Sequence, residues 1–568
     1  MNLIHQTHAF SHALKWRMTW NKHDLDYQPQ VQGCPKFMSA RKAASMIQDS
    51  DVCISSGMAG NARCSIFYWA VKDSFLTNHH PKNLTWITVS AQGGRGKAPG
   101  TIEELDPPGL VTQYISGHVE TAKSLLKSAE AGNLDIHTLP QGEMTFLLEA
   151  QANGETSIDS KTGIGTFLDP RIGSGSALTP RSGSKYITVS KNDPEQLTYH
   201  LPKIDVAVFS APYADSKGNI YFHDAAVITE NIESAMAARK NGGKVLVAVS
   251  RVIEEDPEKI SLSSEYVDAI VVNPWNEQTA SIKQRKYWPM FTRKAQEDEQ
   301  RSMDKLRTIN KMLGITPKRG PIEDALSRMT ASLFVKEVKK KSLINLGIGL
   351  PEEVGRFLLK GGIYKDVICS SETGVYNGLP TPGIYFGGAI NPKEIHSSAW
   401  MFKHYRENLD VSVLGLLQVD SEGNVNVSKK GPSITDCVGP GGFINISCCA
   451  KTIIFIGSWM AQSTFSLRDG VLNLKSAGKS RFVNKVDEIT FSGKQALKHG
   501  KKVFYVTNVG IFKLTHRGLE LIQVAPGINI QKDIVETSSA RIIVPRDRTI
   551  PVVSNDVMTG KGFHLKYA

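Results

Sequence analysis

The sequence predicts an α/β protein of two related open domains, each built on a largely parallel sheet, with its active site in the cleft between them. Three observations predict it. Short apolar segments alternate with helix-forming ones, as parallel β/α construction requires. A segment beginning at Asp205 recurs without a gap at Asp410. A charged stretch lies between residues 284 and 319, and after it the opening pattern starts again.

Residues 1–37 show little periodicity and read as an extension. From 38 to 283 the text is regular. SARKAASMIQ (Ser39–Gln48) begins with a capping serine and continues in helix formers, so it predicts a helix. VCISSG (Val52–Gly57) and LTWITV (Leu84–Val89) predict strands that run into glycine turns. Residues 284–319 read as a charged linker holding an exposed helix around Ala295–Leu313. Residues 320–555 form the second unit and 556–568 a tail.

The repeat is specific. DVAVFSAPYADSKGNIYF and DVSVLGLLQVDSEGNVNV share Asp215/Asp420, Ser216/Ser421, Gly218/Gly423 and Asn219/Asn424. Each copy predicts strand, D-S-x-G-N turn, strand. Asp and Asn bond back to a turn backbone and Gly takes positive φ there. A third strand follows, KVLVAV (Lys244–Val249) or KTIIFI (Lys451–Ile456). Related halves make a cleft, a favoured place for a ligand.

Composition bounds the function. The chain has 568 residues, a formal charge of +12, 40% hydrophobic and 21% charged residues. No apolar run approaches the roughly 18–20 residues of a spanning helix, so no membrane partner is expected. The basic runs Lys283–Lys286 and Lys339–Lys341 lack the aromatic interleaving of a nucleic-acid stripe, so none is expected there either. The seven cysteines show no CxxC or zinc spacing. No metal is expected, and scattered thiols fit a reducing compartment. Residues 1–23 carry Lys15, Arg17, Lys22 and four histidines but no acid, a faint transit-peptide character. A cytoplasmic location is expected, with the mitochondrial matrix as the alternative.

Three second-half segments carry chemistry. NLGIGLP (Asn345–Pro351) takes a strand into a glycine turn, where backbone N–H groups can approach a ligand. ICSSETGVYNG (Ile368–Gly378) brings Glu372 to the carboxyl end of a strand. GPGGFINIS (Gly439–Ser447) is a second glycine turn. No P-loop, GxGxxG, GxSxG or HExxH fingerprint is present. His118 and His223 form no catalytic pattern and read as structural or surface residues.

Together these segments resemble the family I coenzyme A transferases, in particular the single-chain acetate/propionate type, whose halves correspond to fused alpha and beta subunits. The resemblance runs from about Ser39 to Ile530. It includes SGMAGNA (Ser56–Ala62), AQGGRG (Ala91–Gly96), LPQG (Leu139–Gly142) and GIGTFLDPR (Gly163–Arg171), then SETG (Ser371–Gly374) and FGGAIN (Phe386–Asn391). It implies the CoA-transferase fold and a homo-oligomer, dimer or tetramer. It implies no permanently bound cofactor; coenzyme A is substrate and covalent intermediate, with acyl-CoA and short-chain carboxylates as partners. Glu372 matches the nucleophile, Gln141 a side-chain oxyanion donor and Gly442 a backbone donor. Gly347, Ile348, Gly349, Leu350, Pro351 and Gly441 match the CoA-lining loops. The acyl pocket is expected near Asn61 and Gln92.

The chemistry is sensible in its own terms. A glutamate is ionised at neutral pH, and a thioester is an activated acyl donor, so carboxylate attack needs neither metal nor redox centre. Two other readings use the same residues: an acyl-CoA hydrolase, and a non-catalytic acyl-CoA or metabolite-binding protein.

Overall fold

The computed structural model describes residues 17–94, 98–274, 289–317 and 319–567, with Thr7, Phe10, Ser11 and Leu14. The run Lys283–Lys286 and the Arg95–Gly96 end of the AQGGRG segment lie outside the described residues.

Two sheets form the framework. The first runs, edge to edge, Ala269–Val272, Lys244–Ile253, Val206–Asp215, Val52–Ser55, Leu84–Thr88, Val111–Ser116, Asp135–Thr138. Every neighbouring pair is parallel. Successive side chains of a strand point to opposite faces, and here both faces are covered. Val206, Val208 and Leu246 enter one apolar cluster, while Ala207, Phe209 and Val247 enter the other. That is why Val206–Asp215 is buried at every position and reads as a continuous apolar run rather than an alternating one.

The second sheet has a parallel centre of Ile368–Ser370, Leu343–Leu346, Leu409–Gly415, Thr452–Ile456 and Lys502–Thr507. This order reproduces Leu84, Val52, Val206, Lys244, Ala269 in the first sheet, so the repeat is one of topology. Antiparallel strands then extend it beyond Lys502–Thr507 and beyond Ile368–Ser370. The matching turns are built alike. Asp215 Oδ1 accepts from the N–H groups of Lys217 and Asn219, at 2.9 and 3.0 Å. Asp420 Oδ1 accepts from Glu422 and Asn424, both at 3.0 Å. Gly218 and Gly423 have φ of 90° and 77°, the conformation that the turn demands.

Three segments differ from expectation. The helix expected over Ser39–Gln48 covers Ala40–Ala44, with Ser39 capping Lys42 N; Gln48 N turns instead to the Asp51 carboxylate at 2.8 Å. The linker helix runs Glu299–Met312 and is not exposed all round. Met303, Leu306 and Ile309 form a stripe at helical spacing that packs with Leu379 and Tyr385. Asn310 Nδ2 donates to Pro382 O at 3.0 Å, and Arg307 pairs with Glu353 at 2.8 Å. The extension also packs. Leu25 is in the core, His23 stacks on Trp69 at 4.1 Å, and Lys36 O accepts from Ile270 N at 2.8 Å at the sheet edge.

The halves also meet at Thr229–Glu233. Ser398 N donates to Thr229 O at 2.8 Å. Beside this contact Glu230 is fully buried. Burial, then the charge of Glu233, pushes its carboxyl up to about 8; burial pushes Glu233 to about 7. The unfolded chain releases these protons near the ordinary value of 4.5, so between that pH and about 8 the folded state binds more protons. Stability therefore falls as pH rises through this window. Thermal melts from pH 5 to 8 should show that decline in the wild type and a flatter profile in Glu230→Gln. Equal slopes would show that Glu230 ionises normally.

Candidate active site

A cavity of about 1100 Å³ lies between the two halves. Its second-half wall holds Asn345, Gly347, Ile348, Glu372 and Gly439–Gly442; its first-half wall holds Met58–Gly60, Arg63, His118 and Gln141.

Glu372 sits two residues past the strand Ile368–Ser370, at the carboxyl end of a parallel sheet where open α/β folds bind ligands. It is 7% exposed. Its Oε2 accepts from Asn345 Nδ2 at 3.4 Å and from Ser371 Oγ at 3.3 Å. Burial pushes its carboxyl above the ordinary range, while these two donors pull it back by favouring the charged form. Asn345 is held in turn by Tyr405 OH at 3.2 Å.

Gln141 comes from the other half, as the first residue of the helix Gln141–Ala152. The opening N–H groups of a helix have no partner within it, and here the second half supplies them. Gln141 N donates to Gly441 O at 3.1 Å, and Gly142 N to Asn445 Oδ1 at 2.9 Å. Glu143, with no exposed surface, accepts from Asn445 Nδ2 at 3.1 Å and pairs with Arg406 at 3.1 Å. A Cβ on Gly442 would sit 3.2 Å from Gln141 Oε1 and 3.5 Å from Glu372 Cγ. The three sequence-predicted residues thus converge on one point, and Gln141 Oε1 is buried with no partner of its own.

Other expected residues divide. Gly347, Ile348 and Gly441 line the cavity, whereas Gly349, Leu350 and Pro351 are not on its wall; the helix Leu350–Lys360 starts there, and Leu350 packs on the core. Asn61 and Gln92 are buried braces. Asn61 Nδ2 donates to Phe386 O at 2.8 Å, and Gln92 Nε2 to Ser55 O at 2.6 Å. Their turn neighbours Met58, Ala59, Ala91 and Gly93 line the cavity instead. Sequence reasoning missed Asn345, His118, Arg63 and the extension residues Arg17, Trp20 and Lys22, all on the wall. Asn345 had a signal: an amide inside the apolar strand Leu343–Leu346.

A profile described as Coenzyme A transferase matches residues 37–273. The caffeate CoA-transferase of Acetobacterium woodii is 31% identical over 508 residues, 88% of this chain and 93% of that protein. The chain belongs to the coenzyme A transferase family. The acetate CoA-transferase YdiF of Escherichia coli K12 is 30% identical over 522 residues, 89% of this chain and 92% of that one. The solved YdiF acyl-CoA transferase of E. coli O157:H7, as a thioester complex with CoA, superposes with a TM-score of 0.81 at 26% identity. That match covers 95% of this chain and all of the other.

In this transferase Gly117 is the tightest contact behind Gln141. A Cβ there would lie 2.5 Å from Val89 O and 2.7 Å from Gln141 Cγ. Gly117→Ala should cost about 1–3 kcal/mol by overpacking. It should also slow CoA transfer by about 100-fold if Gln141 moves by about 1 Å. Melting temperature and turnover measured together check this; an unchanged rate at a lowered melting temperature would separate Gln141 from catalysis.

Proposed function

We propose that this transferase moves coenzyme A between a short-chain acyl-CoA and a free carboxylate, by a ping-pong route through a glutamyl-CoA thioester on Glu372. The observation that carries the reading is the meeting of Glu372, Gln141 and Gly442 in the interdomain cavity. The thioester form of YdiF supports it as a related protein in the corresponding state.

A Glu372 oxygen attacks the acyl carbon, the C–S bond breaks and CoA leaves as thiolate. The thiolate attacks the Glu372 carbonyl of the mixed anhydride. The anhydride C–O bond breaks and the acyl group departs as a carboxylate. A second carboxylate runs the sequence backwards. Each addition makes an oxyanion, which the Gln141 amide and the Gly442 N–H would receive; removing one such donor typically costs about 100–1000-fold. Gly347 and Ile348 line the path for the CoA arm.

Incubation with acetyl-CoA alone should add the mass of CoA, less water, at Glu372, read by intact and peptide mass spectrometry. Glu372→Gln should neither form the adduct nor transfer CoA, and Glu372→Asp should transfer at least about 100-fold more slowly, being one methylene short. Adduct formation elsewhere would sink the assignment. CoA release at equal rates with and without acceptor acid would instead favour a hydrolase.

The pH profile follows from the burial of Glu372. The nucleophile must be ionised and its pKa is raised, so the acid limb of turnover should lie above the ordinary glutamate value. Asn345→Leu removes a donor to the charged form and should move that limb to still higher pH. A shift downward would contradict the hydrogen bond.

A further inference from the structure

We propose that Tyr405 and Ser370 are positioning residues: their hydroxyl groups orient the Asn345 amide so that it presents an N–H, and not its oxygen, to the Glu372 carboxylate. This rests on the transferase reading above. It adds two residues behind the nucleophile, neither of them on the cavity wall.

Asn345 and Ser370 stand side by side in register on the neighbouring parallel strands Leu343–Leu346 and Ile368–Ser370. Tyr405 comes from the helix Ser398–Asn408 and has no exposed surface. Asn345 and Ser370 are buried too, so their polar atoms must find partners within the protein.

The hydrogens can be followed one by one. Ser370 has a single hydroxyl hydrogen. Its Oγ donates to Ile344 O at 2.9 Å, a carbonyl that can only accept. The contact of 3.1 Å between Ser370 Oγ and Tyr405 OH is therefore made with the Tyr405 hydrogen. The Tyr405 oxygen is left with lone pairs alone for Asn345. The amide meets it with Nδ2 at 3.2 Å, and the other Nδ2 hydrogen goes to Glu372 Oε2 at 3.4 Å.

This orientation leaves Asn345 Oδ1 buried with no hydrogen-bond partner. Turned over, the amide would set that oxygen against Tyr405 and the carboxylate. A free phenol hydrogen would welcome it, but Ser370 has taken that hydrogen. A buried acceptor left unmet needs a reason, and the donor gained by Glu372 supplies one. Burial, and after it the charge of Glu372, pushes the Tyr405 phenol far above its ordinary range, so it stays neutral beside the ionised nucleophile. Burial also pushes the Cys449 thiol, whose charge would reach Tyr405, up to about 12. Among the described residues no charged side chain contributes to raising Glu372. The side-chain donors that oppose its burial are those of Asn345 and Ser371.

The experiment uses the full-length enzyme as wild type, Tyr405→Phe, Ser370→Ala, Ser370→Thr and the double variant of Tyr405→Phe with Ser370→Ala. The rate of CoA adduct formation from acetyl-CoA is followed against pH, together with KM for acetyl-CoA and the melting temperature. Tyr405→Phe and Ser370→Ala should each move the acid limb to higher pH by about half to one unit, the worth of one hydrogen bond, at unchanged KM. Ser370→Thr retains the hydroxyl and should retain the wild-type limb. Members of one hydrogen-bonded chain do not add, so the double variant should match Tyr405→Phe. An unmoved limb in either single variant overturns the proposal, because a merely structural role lowers the melting temperature alone; if one of the two does not fold, the other decides. Additive shifts in the double variant overturn it as well, as does a Ser370→Thr limb displaced as far as that of Ser370→Ala. Infrared difference titration of the resting protein, with Glu372→Gln as the blank, reads the same carboxyl without turnover: a midpoint raised in both single variants supports the proposal, and midpoints equal to the wild type overturn it. Failure of the transferase reading shows separately, as a wild type that forms no CoA adduct.

Discussion

The opening backbone N–H groups of the Gln141–Ala152 helix find their acceptors across the cleft, in Gly441 O and Asn445 Oδ1. The site depends on that seam. Pulling the halves apart would strand two helix donors and expose the fully buried Glu143 pair with Arg406, and unpaired buried groups are costly. The halves are therefore held in one register, and that register sets how Gln141 faces Glu372. Positioning is supplied by folding rather than by ligand binding, which is what the oxyanion site proposed above requires.

Electrostatics divides the interior into two kinds of carboxyl. Glu372 is raised by burial yet restrained by Asn345 and Ser371, so its charged form remains within reach. Glu230 is buried beside a second carboxyl, Glu233, and rises to about 8. The difference includes a like charge, which plays no part in raising Glu372. The first group opens on the cavity, and the second lies in a closed contact. The cavity wall itself carries Arg17, Lys22, Arg63 and Lys123 against Glu120 and Glu372, a positive balance that draws in anions.

Much of this was legible because it is local. The D-S-x-G-N turns name their own hydrogen bonds, and a match at Asp215 and Asp420 therefore predicted two alike sheets. The place of Glu372 at a strand's end was legible in ICSSETG, while its proposed role came from the family resemblance. Contacts made across long stretches of sequence were not. Nothing near Asn61 or Gln92 says that their amides brace Phe386 O and Ser55 O rather than face a substrate. The charged composition of the linker hid the stripe Met303, Leu306, Ile309. Asn345 was overlooked because its flanking glycines drew the attention. The wall residues of the extension carry no local sign, since contacts far along the chain, such as the stacking of His23 on Trp69 and the burial of Leu25, hold the segment in place.

The Glu299–Met312 helix bears on the ancestry of the chain. Its side-chain partners include Glu353, Pro382 and Ile384 of the second half, while its apolar stripe shares a cluster with Ala226 of the first as well as with Leu379 and Tyr385. A break in such a chain is tolerable only where it spares the elements that need each other. A cut before Glu299 would leave the helix as the leading arm of the second half, with its bonds to Glu353 and Pro382 kept. A gene split placed after Met312 would hand that arm to the wrong subunit and uncover the apolar face of Leu379 and Tyr385.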